Sequence, residues 1–269
     1  MKLLFKIFFR GLFLFFKDPN QRRFIWLVFR FGNVARFKAK TIRINNFTII
    51  VPDCLSFLWQ YKEIFVEGSY KFKSKKRDSK IIDCGANIGL GLLYYKLHYP
   101  DSKIIAFEAN SDISRILQQN IHNNRLKDVE VHNKAVWIND EGVEISVGKA
   151  DNSSIFGTGQ KVKVPSVTLN SILEREQIID FLKIDIEGAE KEVITNCGNL
   201  LRKVSNIFIE YHSFIDKKQE LDEVLSILTQ NDFRYFIKPV NDRLQPFINQ
   251  TNKNSPEFDL QLNIYAYKD

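Results

Sequence analysis

The chain has 269 residues, 44% of them apolar, and a formal net charge of +7, enough for one large folded domain or a domain with an added segment and incompatible with a disordered chain. Three cysteines, Cys54, Cys84 and Cys197, are too few and too scattered for a disulfide framework or a zinc site, which fits a reducing compartment. The basic charge is local: residues 1–40 hold ten Lys or Arg and one acid, net +9, and the remainder carries −2.

Residues 1–40 form a basic, aromatic arm that also holds ten of the 23 phenylalanines. Lys6, Arg10 and Lys17 interrupt its apolar stretch, which excludes a membrane span of about 20 apolar residues. No small-residue cleavage site follows, which argues against a secretory signal. Phe and Trp that sink below lipid headgroups, with Lys and Arg meeting anionic lipid, make an in-plane interfacial anchor the expected use, on the inner face of a membrane around a cytoplasmic protein. An amphipathic helical cap on the catalytic domain or on a second subunit is the bland alternative. Nucleic acid would need the cations but not so many phenylalanines, so no nucleic-acid partner is expected.

Residues 41–80 read as a lead-in. TIRINNFTIIVP alternates like a hairpin with Asn45-Asn46 as its turn, LSFLWQYKEIF reads as a helix, and KFKSKKRDSK is a solvated run. From residue 81 strand and helix patterns alternate, which predicts a doubly wound, mostly parallel seven-stranded sheet with helices on both faces and the arm as an N-terminal addition. Strands are expected near 80–84, 103–108, 128–133, 180–185, 206–211, 233–238 and 260–268, and helices near 88–98, 111–124, 188–201 and 217–231. The last two strands should pair antiparallel at one edge. Residues 139–170 look like strands joined by a Gly- and Ser-rich loop, placed to cover a substrate.

The chemistry concentrates in four apolar runs that end in polar residues. IIDCGANIGLG ends on Asp83 and opens into a turn with Gly85, Asn87, Gly89 and Gly91, a strand, tight loop and helix start that lets a backbone approach a nucleoside cofactor. The dinucleotide spacing G-x-G-x-x-G is not met, which weakens an NAD reading. KIIAFEAN places Glu108 at the next strand mouth, where a carboxylate can accept from a ribose diol while another accepts from an amine, as S-adenosylmethionine requires. FLKIDIEGAE brings Asp185 and Glu187, which share a face if the strand persists that far. NIFIEYHSF sets Glu210 and His212 on a common face by the same parity.

The set DCGANIG, FEAN, LKIDIEGAE and IEYH, in this order, resembles the FkbM family of S-adenosylmethionine-dependent methyltransferases over roughly residues 45–215. Ala109 stands where the family usually has Pro, and Asn170 where it often has Asp. The resemblance implies the class I methyltransferase form of the sheet, S-adenosylmethionine as cofactor, and methylation of a hydroxyl on a natural product or glycan. Combined with the arm, it points to a sugar of a lipid-linked or surface polysaccharide intermediate. A D/N-P-P-Y turn, which an amine-directed site of the common kind would show, is absent from the sequence.

The expected cofactor contacts are Asp83, Gly85, Asn87, Gly89, Glu108, Asn110, Asn133, Ala135 and Asp185, with Asn133 near the adenine and Ala135 leaving room for it. The expected catalytic set is His212 as the base, with Asp185, Glu187 and Glu210 around it, because removing a hydroxyl proton needs a group that titrates near neutrality. Asp185, Glu187 and Glu210 are hard oxygen donors, yet acids two apart at a strand end more often hydrogen-bond than ligate, so no metal is expected. Ser153 and Ser154 could meet a polar acceptor or serve loop solubility, and His98, His122 and His132 read as structural. The rival classes are an NAD-dependent sugar oxidoreductase or epimerase, and a cofactor-binding, membrane-associated protein without turnover.

Overall fold

A computed structural model describes residues 18–74, 76–147, 153–154, 160–241, 243–250 and 257–268. It divides into two compact units, one up to Lys71 and the other from Phe72.

In the first unit, helix α1 (Pro19–Phe31) starts where the Asp18 carboxylate accepts from the Asn20 N–H and Pro19 occupies the first turn, a position where proline's missing donor goes unneeded. Leu27 is buried, whereas Ile25, Trp26, Val28 and Phe29 are exposed, Phe29 to 88%. Strands β1 (Lys40–Ile44) and β2 (Phe47–Val51) pair antiparallel around a turn in which Asn45 takes φ 52°, a left-handed value asparagine tolerates. Helix α2 (Cys54–Tyr61) follows, capped by Asp53, and runs into a π-helical turn at Lys62–Val66.

The second unit runs β3 (Lys80–Cys84), α3 (Leu90–His98), β4 (Lys103–Phe107), α4 (Ser111–Asn123), β5 (Val129–His132), β6 (Ala135–Trp137), β7 (Val143–Val147), β8 (Ser153–Ser154), β9 (Lys161–Val164), β10 (Ser166–Thr168), α5 (Leu169–Arg175), β11 (Ile179–Ile184), α6 (Glu190–Cys197), β12 (Val204–Phe214), α7 (Leu221–Gln230), β13 (Arg234–Pro239) and β14 (Phe258–Tyr267). Seven strands form one sheet in the order β13-β14-β12-β11-β3-β4-β5, in which β14 alone runs antiparallel, inserted between β12 and β13. Ile81, Ile82, Leu182 and Ile184 are fully buried, as the near-continuous apolar runs of a sheet covered on both faces require. The chain winds from β3 outward through β4 and β5, then returns to β11 on the other side. The crevice between β3 and β11 is therefore the topological switch point, where such sheets hold ligands at the carboxyl ends of their strands.

Several boundaries differ from expectation. β11 stops at Ile184, so strand parity does not reach Asp185 and Glu187. The helix expected over 188–201 is α6 followed by a 3-10 turn at Gly198–Lys203, because Gly198 turns to φ 50° after Cys197. Helix α5 was not anticipated; its cap, Thr168 accepting from the Ser171 N–H at 3.3 Å, sits in the segment read as loop. Residues 139–170 do hold strands, a β8-β7-β9 sheet and β10, which pairs in parallel with the preceding β6, although 148–152 and 155–159 lie outside the described residues.

Candidate active site

A cleft of about 680 Å³, open mouth included, lies at the carboxyl ends of β3, β4 and β11. Gly85, Asn87, Glu108, Ala109 and Asn110 form one side, Phe107, Ile113, Val136 and Ile145 supply an apolar wall with Ala135, and Asp185, Ile186, Glu187 and Lys134 complete the lining. Glu108 is fixed at both carboxylate oxygens: Oε2 accepts from the Asn87 N–H at 2.9 Å and Oε1 from the Asn110 N–H at 2.8 Å. Each oxygen keeps a lone pair for a further donor. Burial pushes the Glu108 carboxyl up to about 7, against the two backbone donors that pull it down.

Behind the first loop stands a lysine that the sequence reading passed over. Lys183 is 3% exposed and lies beside Asp83 in the strand register. Its ammonium is 3.1 Å from Asp185 and 3.5 Å from Asp83, and it donates to the Gly85 carbonyl. Burial opposes its charge, but Asp185 and Asp83 outweigh that and hold its pKa above the ordinary lysine value. Burial raises the Asp83 carboxyl, partly offset by Lys183. Asp83 is thus a buried counter-ion that ties the glycine loop to β11. Gly85 belongs to the same joint, since at φ 83° a Cβ would come within 1.9 Å of the Asp185 carbonyl oxygen.

On the other side of the 185–188 turn, His212 is enclosed by carboxylates. Its Nδ1 is 3.1 Å from Glu190, and its Nε2 is 3.5 Å from Glu210 and 3.7 Å from Glu187. Burial disfavours the charged ring, yet Glu187, Glu190 and Glu210 overcome it and carry the His212 pKa well above 6.5. Its carboxylate surroundings therefore favour the protonated ring. Burial also raises Glu187 and Glu210, against the pull of His212, with Asp185 adding like-charge repulsion to both. Glu190, the first residue of α6 and fully buried, accepts from the Ile186 and Gly188 N–H groups at 3.1 and 3.0 Å.

The structure brings Gly85, Asn87, Glu108, Asn110, Ala135, Asp185 and Glu187 to the cleft. Among the described residues lining it, Asp83, Gly89 and Asn133 are not found. Gly89 is the left-handed cap of α3. Asn133 donates to the Glu108 and Ala109 carbonyls and so shapes the loop beside the cleft. Asn110 caps α4, with its side chain accepting from the Asp112 N–H at 2.9 Å and the Ile113 N–H at 3.3 Å. The Asn87 side chain accepts from the Ile88 N–H at 2.7 Å. His212 and Glu210 stand behind Glu187, outside the lining. The side chains of Ser153 and Ser154 lie outside the described residues.

The family model for the methyltransferase FkbM domain matches residues 83–235. "Methyltransferase 1" of Beauveria bassiana is 27% identical over 160 residues, covering 50% of this chain and 64% of that protein. "Methyltransferase sdnD" of Sordaria araneosa is 30% identical over 172 residues, covering 50% of this chain and 66% of that protein. The chain thus spans just under two thirds of the length of these relatives. A crystal structure of an FkbM methyltransferase from Methylobacillus flagellatus is similar at 16% identity and a TM-score of 0.49, over 80% of this chain and 52% of that one. The cofactor of this family is S-adenosylmethionine, and the cleft suits it: a carboxylate with open lone pairs at the β4 mouth for a ribose diol, an apolar wall for a purine, and acidic groups at the β11 mouth for a cationic methionine end. With its strand-mouth motifs inside a match over more than half of its length, the chain belongs to the FkbM methyltransferase family.

Proposed function

We propose that the chain methylates a hydroxyl oxygen, with a sugar of a glycan or of a lipid-linked polysaccharide intermediate as the acceptor. The observation that carries this reading is Glu187, which lines the cleft beside Asp185 while its carboxylate faces the buried His212 at 3.7 Å. S-adenosylmethionine supplies an electrophilic methyl group, which leaves sulfur as the new oxygen–carbon bond forms. Glu108 would hold the ribose, and Asp185 would face the methionine end. Glu187 would receive the hydroxyl proton, since burial raises its basicity toward what that transfer needs. His212, behind Glu187, is then a positioning group whose charge keeps Glu187 ionised until the acceptor binds, and Glu190 and Glu210 hold the ring in place.

The acceptor class and the location rest on the arm. Trp26 and Phe29 are exposed on α1 near Arg22, Arg23 and Arg30, a mixture that supports attachment to an anionic membrane surface from the cytoplasmic side. No described helix is long and apolar enough to cross a membrane.

The test is calorimetric titration of the full chain with S-adenosylhomocysteine and with NAD, followed by turnover on glycan acceptors. Micromolar binding of the first is expected. Glu187→Gln should then lower kcat by about 10²-fold or more with cofactor affinity kept. Binding of NAD in place of S-adenosylhomocysteine would sink the reading, and unchanged kcat in Glu187→Gln would remove that residue from the reaction.

A further inference from the structure

We propose that Asp185, Glu187 and His212 form a binding site for a divalent cation at the acceptor end of the cleft. One donor atom from each of the three lies within 4.8 Å of the others, so the side chains would draw in by about an ångström to reach a central ion about 2 Å from each. The set is mixed, two carboxylates that suit a hard ion such as Mn²⁺ and an imidazole that suits later first-row ions, so a divalent first-row metal fits it.

The His212 ring is already arranged as a ligand. Nδ1 is tied to the buried Glu190 carboxylate at 3.1 Å, the outer partner that metal-bound histidines commonly have and that fixes the ring's orientation. Nε2, on a side chain only 2% exposed, points toward Glu187 and Glu210 at 3.7 and 3.5 Å, too long for well-formed hydrogen bonds and suited to atoms that share an ion. The Asp185 Oδ2 is held by Lys183 at 3.1 Å, so Oδ1 is the atom left for coordination.

Charge supports the same occupant. Around the 185–188 turn the carboxylates of Asp83, Asp185, Glu187, Glu190 and Glu210 are opposed, among the described ion pairs, by Lys183 and His212. The methionine end of the cofactor brings one net positive charge, which leaves an excess of negative charge for a divalent ion that His212 would bind as neutral imidazole, its Nε2 proton released. A carboxylate that ligates through one oxygen keeps the other, so Glu187 could bind the ion and still receive a proton. The ion's use, holding the acceptor oxygen and making its proton easier to remove, rests on the methyl-transfer reading, whereas its binding does not.

The test uses the full chain, freed of metal with a chelator and desalted, then titrated with Mn²⁺ alone and again with saturating S-adenosylhomocysteine. Free Mn²⁺ is followed by electron paramagnetic resonance, and bound Mn²⁺ by pulsed measurement of nitrogen coupling. One site per chain with an imidazole nitrogen coupling is expected. Glu187→Gln, at a partly exposed position, should weaken binding at least tenfold, and His212→Gln should remove the coupling, with thermal melting confirming that both variants fold. Glu108→Gln should bind S-adenosylhomocysteine at least about tenfold more weakly and keep Mn²⁺, which separates failure of the cation site from failure of the cofactor reading. No binding at millimolar Mn²⁺, or binding that survives both Glu187→Gln and His212→Gln, would overturn the proposal.

Discussion

Glu108 makes cofactor affinity depend on pH in a calculable way. Its carboxyl sits at about 7 because burial opposes ionisation, and a ribose diol, which donates two hydrogen bonds, favours the ionised form. Binding therefore releases a proton wherever the free protein holds Glu108 neutral. If only the ionised form binds well, apparent Kd is multiplied by the reciprocal of the ionised fraction, which makes affinity about 30-fold weaker at about pH 5.5 than at about pH 8. Stability without cofactor moves the other way. A carboxyl raised above its unfolded value stabilises fully below the unfolded pKa, and that contribution fades as pH rises through about 7, with an upper bound of about 3 kcal/mol. The assay is titration with S-adenosylhomocysteine across that range in two buffers of different ionisation enthalpy, so that proton release is counted directly. Glu108→Gln should bind at least about tenfold more weakly, because an amide presents a donor toward one of the backbone N–H groups, and its affinity should lose the slope. A flat profile in the natural protein, or the same slope in Glu108→Gln, would refute the reasoning.

Lys183→Met should destabilise the fold by about 3–5 kcal/mol, because it leaves Asp83 and Asp185 without their buried counter-charge; urea unfolding at constant pH measures this, and a loss under about 1 kcal/mol would mean that Lys183 contributes little there. Gly85→Ala should abolish cofactor binding before it abolishes folding, since the added methyl meets the Asp185 carbonyl and must push the loop from the cleft; titration and circular dichroism on one sample separate the two losses. Replacing exposed Trp26 and Phe29 together by Glu should cut partition onto anionic vesicles by more than about tenfold, given about 1.5–3 kcal/mol per buried aromatic. Equal sedimentation with vesicles would place the membrane contact elsewhere.

The sheet was legible because its strands are short apolar runs that end in polar turns, and period and length alone separate those from the helices between them. Glu108, Asp185 and Glu187 were legible for the same reason, as polar residues at the carboxyl end of such a run. What escaped the sequence was pairing across strands. Lys183 interrupts an apolar run, a sign that it has a buried partner, but Asp83 becomes that partner only when β3 and β11 lie side by side in register. Glu190 reads as an ordinary first-turn acid of a helix, and its engagement of His212 depends on β12 lying next to β11. The surroundings of His212 were hidden on the same ground: imidazole chemistry suggests a base, whereas the three carboxylates around it favour the protonated ring.

These two hidden residues explain how the site keeps its shape. The turn after β11 carries both Asp185 and Glu187 into the cleft lining, and it does so through consecutive left-handed residues, Glu187 at φ 55° and Gly188 at φ 102°. A glutamate in that region costs about 1–3 kcal/mol and persists only where neighbours over-determine it. Lys183 pins the turn from below through Asp185 and the Gly85 carbonyl, and Glu190 pins it from above through the Ile186 and Gly188 N–H groups. Each pin is buried, charged and paired, so releasing either leaves a desolvated charge as well as a relaxed loop. The strain at Glu187 is thereby held between two ionic clamps. On the proposed roles, the groups for cofactor and acceptor sit on one segment of four residues, not on independent loops, which would fix their spacing for transfer between the two.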